Sequence, residues 1–274
     1  MPEYPATSAI VLAGGQSLVP AMNFRLAQPA ALIDLNGVGE LFYLRGGQGG
    51  GLEIGAMTRQ RTLERSELAA TRAPLLHATM PCIAHVQIRN RGTLGGSLAH
   101  AAPAAELPAV MVALDARFHL AGRRGRRVVK ATDFYQGLFT TALAADEMLV
   151  QIDTPPPPAR SGWAMQEFTR RLGDYAIVGV AAQVQLDERG HCCAARLVYL
   201  SVGEVPTMAT QAAAALLDQM PNAETIGAAA AAAAHEDIEP LGDIHASPAY
   251  RRHLVEVLGR RALAGAFARA QTAQ

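Results

Sequence analysis

Two short stretches carry residue types that packing alone does not require. They are Ala13-Gly14-Gly15-Gln16-Ser17 and Thr93-Leu94-Gly95-Gly96-Ser97. A Gly-Gly pair lets backbone N–H groups approach a ligand with no Cβ in the way, and the hydroxyls of Ser17, Thr93 and Ser97 can donate to phosphate oxygens. Each stretch therefore reads as an anion cradle. A single Gly-Gly pair is more often a tight turn with no ligand. Two of them, 81 residues apart from Gly14 to Gly95, can close on one diphosphate from both sides. Neither has the spacing of a P-loop, GxxxxGK[ST], or of a Rossmann fingerprint, GxGxxG, so those two modes of nucleotide binding are disfavoured.

The remaining candidates for chemistry are silent. The eight histidines show no HxxxH or HExxH pairing, and Cys82 and the adjacent Cys192-Cys193 fit no zinc, iron-sulfur or disulfide pattern. Ser17 is not in a GxSxG context. The basic run Arg123 to Lys130 has no interleaved aromatics and reads as a solvated turn. No side chain presents itself as a nucleophile or metal ligand.

The elements that must position the two cradles follow from periodicity. The apolar run Ala9 to Leu12 reads as a strand leading into the first. After the second, Leu107, Val110, Met111 and Leu114 recur at i, i+3, i+4 and i+7, which predicts a helix from about Pro103 with Glu106 in its first turn, entered from a loop of free amides. Leu32 to Leu35 reads as a strand. Five glycines in Gly46 to Gly51 lie between the strand-like runs Leu41 to Leu44 and Leu52 to Ile54, as in a hairpin turn. Thr58 to Ala73 reads as one helix with Thr58 as a candidate cap. Arg117 to Leu120 and Arg127 to Val129 suit a hairpin, and Glu147 to Asp153 a further strand. Pro155 to Pro158 forbid regular pairing and mark a domain boundary. Beyond them, Ala164 to Phe168, Val178 to Leu186 and Ala194 to Val202 predict an antiparallel meander. Ala209 to Gln219, Ala223 to Ala234 and Ser247 to Ala268 predict helices, the alanine run included.

A chain of 274 residues with 24 basic and 24 acidic side chains has no net field to attract nucleic acid or an anionic membrane. No apolar run reaches the ~20 residues of a membrane span. The start, MPEYPATSAIVL, lacks the basic region and cleavage site of a signal peptide, so a cytoplasmic location is expected.

Five separated motifs resemble one family in its own order: AGGQSLVPAMNFRLAQPAALIDLN, LEIGAMTR, IRNRGTLGGSLAHAAPAAELPAV, RLGDYAIVGVAA and DIHASPAYRRHL. They are similar to the FAD-binding medium subunit of the molybdenum hydroxylases, the group of carbon monoxide dehydrogenase and xanthine dehydrogenase. The resemblance implies an α+β fold of the vanillyl-alcohol-oxidase (PCMH) type. Residues 1–157 would bind FAD through subdomains of about 1–55 and 56–157. Residues 158–274 would form a C-terminal domain of three antiparallel strands and a helical bundle. It implies cofactor contacts at Val11, Leu12, Ala13, Gly14, Gly15, Gln16, Ser17, Leu18, Ile83, Thr93, Leu94, Gly95, Gly96, Ser97, Glu106, Leu149, Gln166 and Tyr175, with no catalytic acid, base or metal ligand on this chain.

It also implies partners. A large molybdenum-cofactor subunit would oxidise the substrate and a small subunit with two [2Fe-2S] clusters would pass electrons to the FAD here, in a dimer of heterotrimers. The acceptor would be NAD, a quinone or oxygen. The alternatives are a free-standing FAD oxidase or dehydrogenase, and a degenerate assembly subunit without FAD. Three departures from the family pattern stand out: Gln166 where some members have Lys, Ala102 where HADPAAELP has Asp, and about twenty fewer residues before the first glycine pair.

Overall fold

The computed structural model describes residues 9–273; the N-terminal octapeptide, on which the leader expectation largely falls, lies outside the described residues. The strand Ala9–Leu12 pairs in parallel with Ala31–Asp34, in the register Ala9 to Ala31 through Leu12 to Asp34. Parallel neighbours need a crossover. Here it holds the first glycine pair and a short helix, Leu18–Asn23. The glycine pair thus lies at the carboxyl end of a parallel strand, the usual place for a ligand in such units.

The next unit is a five-stranded antiparallel sheet in the order Leu44–Gly46, Leu52–Gly55, Glu147–Thr154, Arg117–Gly122, Gly125–Lys130. The glycine-rich turn between the first two closes on itself, Gly47 N–H donating to the Gly51 carbonyl at 2.9 Å, and takes no part in the cleft described below. Short helices between residues 60 and 113 cover this sheet. Leu63, Leu76, Leu98, Leu107, Met111 and Phe118 form one fully buried core with it.

Two helix expectations change. The stretch from Thr58 to Ala73 is two helices, Gln60–Glu64 and Glu67–Arg72. Ser66 breaks it because its hydroxyl accepts from Ala69 N–H and caps the second piece. Thr58 caps nothing, since its hydroxyl donates to the Tyr43 carbonyl at 2.7 Å. The helix placed from Pro103 begins at Glu106 and ends at Ala113.

After the prolines, Ser161–Phe168, Val178–Leu186 and Cys192–Leu200 form the antiparallel meander, extended by the short strand Thr207–Met208. The middle strand is buried along nearly its whole length because both faces are covered. On one face Ala181, with Val198 and Leu200 of its neighbour, joins the first core; on the other Val180 and Ala182 join a second core under the helix Pro248–Thr272. The alanine helix Ala223–Ala232 starts with an Asn222–Thr225 capping box and buries Ile226 and Ala229 in that second core. Propensity and close packing agree there. No helix of the described residues is long and apolar enough to cross a membrane.

Candidate functional site

The first glycine loop is held by its carbonyls and leaves its amides free. Asn36 Nδ2 donates to the Ala13 carbonyl and Gln16 Nε2 to the Gly14 carbonyl, both at 3.0 Å. The N–H groups of Gly14, Gly15, Gln16 and Ser17 meet no acceptor among the described residues. Four adjacent donors without a partner need water or a ligand.

The second glycine pair is built differently from the sequence expectation. Thr93 to Ser97 is not a loop of free amides. Thr93 is the N-cap of a helix, Leu94–His100, and its hydroxyl accepts from Gly96 N–H at 3.1 Å. Leu94 N–H donates to Thr58 and Gly95 N–H to Ala56, at 2.9 and 2.8 Å. These amides are spent on the protein. The glycines serve close approach instead: a Cβ on Gly95 would lie 2.6 Å from Ala56 Cβ, and one on Gly96 3.2 Å from Ala13 Cβ and 3.9 Å from Gly14 N. Gly96 is small so that the first loop can come up to it.

One side chain ties the two stretches together. Arg59 donates from Nη2 to Asn36 Oδ1 at 2.6 Å and from Nη1 to the Arg91 carbonyl. Asn36 holds Ala13, and Arg91 immediately precedes the Gly92-Thr93 step. The planar guanidinium therefore bridges both walls, as its fixed fork of donors allows. Asn36 is set for this by Asp34, which accepts from the Asn36 backbone N–H at 2.9 Å.

Between the walls lies a cleft of about 600 Å³, within the ~300–1,000 Å³ of small-molecule and cofactor sites. It is lined by all the sequence-predicted contacts except Leu12, Leu94 and Gln166. Leu94 is fully buried in the core. Gln166 lies on the strand Ser161–Phe168, where side chains alternate. Its face is that of Ala164, which belongs to the core under the long helix, whereas Trp163 and Met165 pack on the first core. Period-two alternation puts Glu167 on that second face. Ile83 and Leu149 are buried lining residues, and Tyr175 is 68% exposed at the rim, so it is not a core tyrosine.

No Lys or Arg lines the cleft. Glu106, only 7% exposed, faces it from the first turn of its helix, and burial pushes its carboxyl up to about 7. Glu167 is pushed up to about 8, chiefly by burial and next by Glu106, and its Oε2 has no partner. Burial likewise raises the Cys82 thiol to about 12, which removes it as a nucleophile at neutral pH. No group of three His, Cys, Asp or Glu side chains among the described residues could hold a metal ion.

Sequence reasoning missed Arg59 and Gln60, both next to the Gly92-Thr93 step. Gln60 lines the cleft and Arg59 braces it. Polar residues in a helix-like run give no spacing signal. Tertiary contacts bring them to the site: the bridge that pairs Arg59 with Thr93 and the Gln60 N–H bond to the Gly92 carbonyl.

An α+β scaffold with free amides at one wall, a glycine helix at the other and a buried acid between them has the chemistry that a nucleotide cofactor would need. Residues 4–157 match the family model described as the FAD binding domain in molybdopterin dehydrogenase. Residues 163–266 match the CO dehydrogenase flavoprotein C-terminal domain. The chain belongs to this family of FAD-binding medium subunits of molybdenum hydroxylases.

Among its relatives, the 6-hydroxypseudooxynicotine dehydrogenase complex subunit alpha of Paenarthrobacter nicotinovorans is 41% identical over 96% of this chain and 88% of its own length. The carbon monoxide dehydrogenase medium chain of Afipia carboxidovorans is 37% identical over 95% and 89%. Among solved structures, quinoline 2-oxidoreductase of Pseudomonas putida 86 superposes with a TM-score of 0.90 at 38% identity, covering 96% of this chain and 90% of that one. Carbon monoxide dehydrogenase of Hydrogenophaga pseudoflava gives 0.91 at 38%, covering 95% and 90%.

Proposed function

We propose that this chain is the flavin relay of a three-component hydroxylase, taking electrons from [2Fe-2S] clusters on a small partner subunit and delivering them to an external acceptor. When bound, FAD supplies the exchange between one-electron and two-electron carriers. The residues of this chain bind it and orient it. One observation carries the reading: Gly14 to Ser17, whose four backbone amides have no partner among the described residues, line a glycine-walled cleft that has no Lys or Arg in its lining. Neutral donors at short range suit a diphosphate.

The buried Glu106 carboxyl fits the same cofactor. A desolvated acid is stable where neighbouring hydroxyls donate to it, and the sugar and ribityl chains of FAD offer several. Leu149 and Ile83 give apolar contact, and Tyr175 stands at the mouth through which an acceptor would arrive. In this reading residues 1–157 hold the cofactor and residues 158–274 pack against them. The substrate would be oxidised on a molybdenum-cofactor subunit, in an assembly of two heterotrimers, with NAD, a quinone or oxygen as acceptor.

The test is to purify the chain alone and together with the proteins encoded beside it, then record visible spectra with and without candidate substrates. Flavin bands that bleach on substrate addition only in the co-purified complex support the relay. Turnover by the single chain would make it a free-standing oxidase or dehydrogenase instead. A complex that stays free of flavin after FAD addition would make it an assembly subunit.

A further inference from the structure

Gln60 is among the least exposed polar residues of the protein, at 4%, yet its side chain is unsatisfied. Oε1 is sealed from solvent with no donor in reach, and Nε2 donates to no described residue. Only Oε1 is buried; the donor end, Nε2, is not sealed in this way and remains the end that a bound acceptor can still satisfy. The backbone shows where that partner sits. Gln60 N–H donates to the Gly92 carbonyl at 2.9 Å, fixing the start of the helix Gln60–Glu64 against the second wall. A Cβ on Gly92 would lie 2.5 Å from Oε1. Oε1 is thus the end pressed against protein. Nε2 is not sealed as Oε1 is, and Gln60 lines the cleft together with Gly14 and Gly96.

We propose that Gln60 is a cofactor contact, its Nε2 donating to the diphosphate of the bound dinucleotide beside the free amides of Gly14 to Ser17. This rests on the FAD assignment above and adds a residue to it. It also explains how the second wall contributes a donor after Thr58, Ala56 and Thr93 have taken the amides of Leu94, Gly95 and Gly96. The neighbouring Arg59 cannot serve, because both arms of its guanidinium are occupied by Asn36 and Arg91.

The experiment uses the full chain in its co-purified complex, stripped of flavin, with FAD, ADP and FMN as probes of binding and the melting temperature as a check of the fold. Gln60→Met removes the donor at similar volume. Gln60→Glu keeps the shape and sets a carboxylate toward the diphosphate. A hydrogen bond to a charged oxygen implies about a ten-fold weaker FAD and ADP affinity for Gln60→Met, and a larger loss for Gln60→Glu that shrinks as salt is raised. FMN, which lacks the diphosphate bridge and adenosine, keeps more of its affinity than FAD does. FAD and ADP affinities within two-fold of wild type in both variants would overturn the assignment, as would FMN falling while ADP holds. A wild-type complex that binds no FAD would overturn the flavin assignment itself, a result distinct from either.

Discussion

Gly14 lies directly against Gly92: a Cβ built on Gly14 would stand 2.9 Å from Gly92 Cα and closer still to the Arg91 carbonyl. The two walls, far apart in the chain, meet at this point because neither residue carries a side chain. The cleft follows from that contact, since a displacement there would separate the free amides from the Gly96 surface.

Substitution at Gly14 tests this contact. Gly14→Ala must move backbone rather than a flexible side chain, so FAD affinity is expected to fall by at least about ten-fold, with a lower melting temperature, as overpacked sites lose roughly 1–3 kcal/mol. Gly49→Ala is the comparison. It has a positive φ of +89° but open space around it, in the remote hairpin turn. It should cost a little stability through backbone strain and leave FAD content unchanged. Equal flavin loss in both would show that Gly14 acts through general stability alone.

Arg59 makes a second prediction. Removing a guanidinium that bridges Asn36 and the Arg91 carbonyl should loosen both walls at once. Arg59→Ala is expected to weaken FAD binding about ten-fold, the scale of one or two charge-assisted hydrogen bonds. Arg59→Lys should recover little, because an ammonium cannot hold the same two acceptors with planar geometry. Flavin titration of both variants checks it, and full recovery by Lys would rule out the clasp.

Glu106 and Glu167 set a pH dependence. Both carboxyls are raised in the folded state, to about 7 and about 8, by burial first and, for Glu167, by Glu106 second. An unfolded glutamate titrates near ~4.3. Between that value and the folded ones the native state binds more protons than the unfolded state, so stability falls as pH rises through this window and levels off above it. Flavin-free protein should therefore melt at a lower temperature at pH 8 than at pH 5.5. Glu167→Gln should flatten the slope. A melting temperature that rises over that range would contradict the burial of these two acids.

Tyr175 separates access from binding. At 68% exposure it contributes little to the core. Tyr175→Ala should leave FAD content and melting temperature near wild type while changing the KM for the electron acceptor. Loss of flavin instead would place the phenol ring inside the cofactor contacts.

Much of this was legible in the chain because it depends on local chemistry. Strand Ala9–Leu12, the glycine-rich hairpin and the meander follow from periodicity and turn residues. The role of Thr93 was not. A hydroxyl beside two glycines reads equally as a phosphate donor or a helix cap, and the choice depends on Ala56 and Thr58, which take the competing amides. The face of Gln166 also depends on distant packing, since alternation fixes only that it and Glu167 point opposite ways. Arg59 and Gln60 carry no local signature at all.

The most direct measurement is a structure of the co-purified complex with its flavin bound. The account predicts the FAD diphosphate between Gly14–Ser17 and the Gly92–Ser97 wall, with Gln60 and Glu106 at its side. Flavin held elsewhere on the chain, or a complex in which that cleft is filled by a partner's side chains, would contradict it.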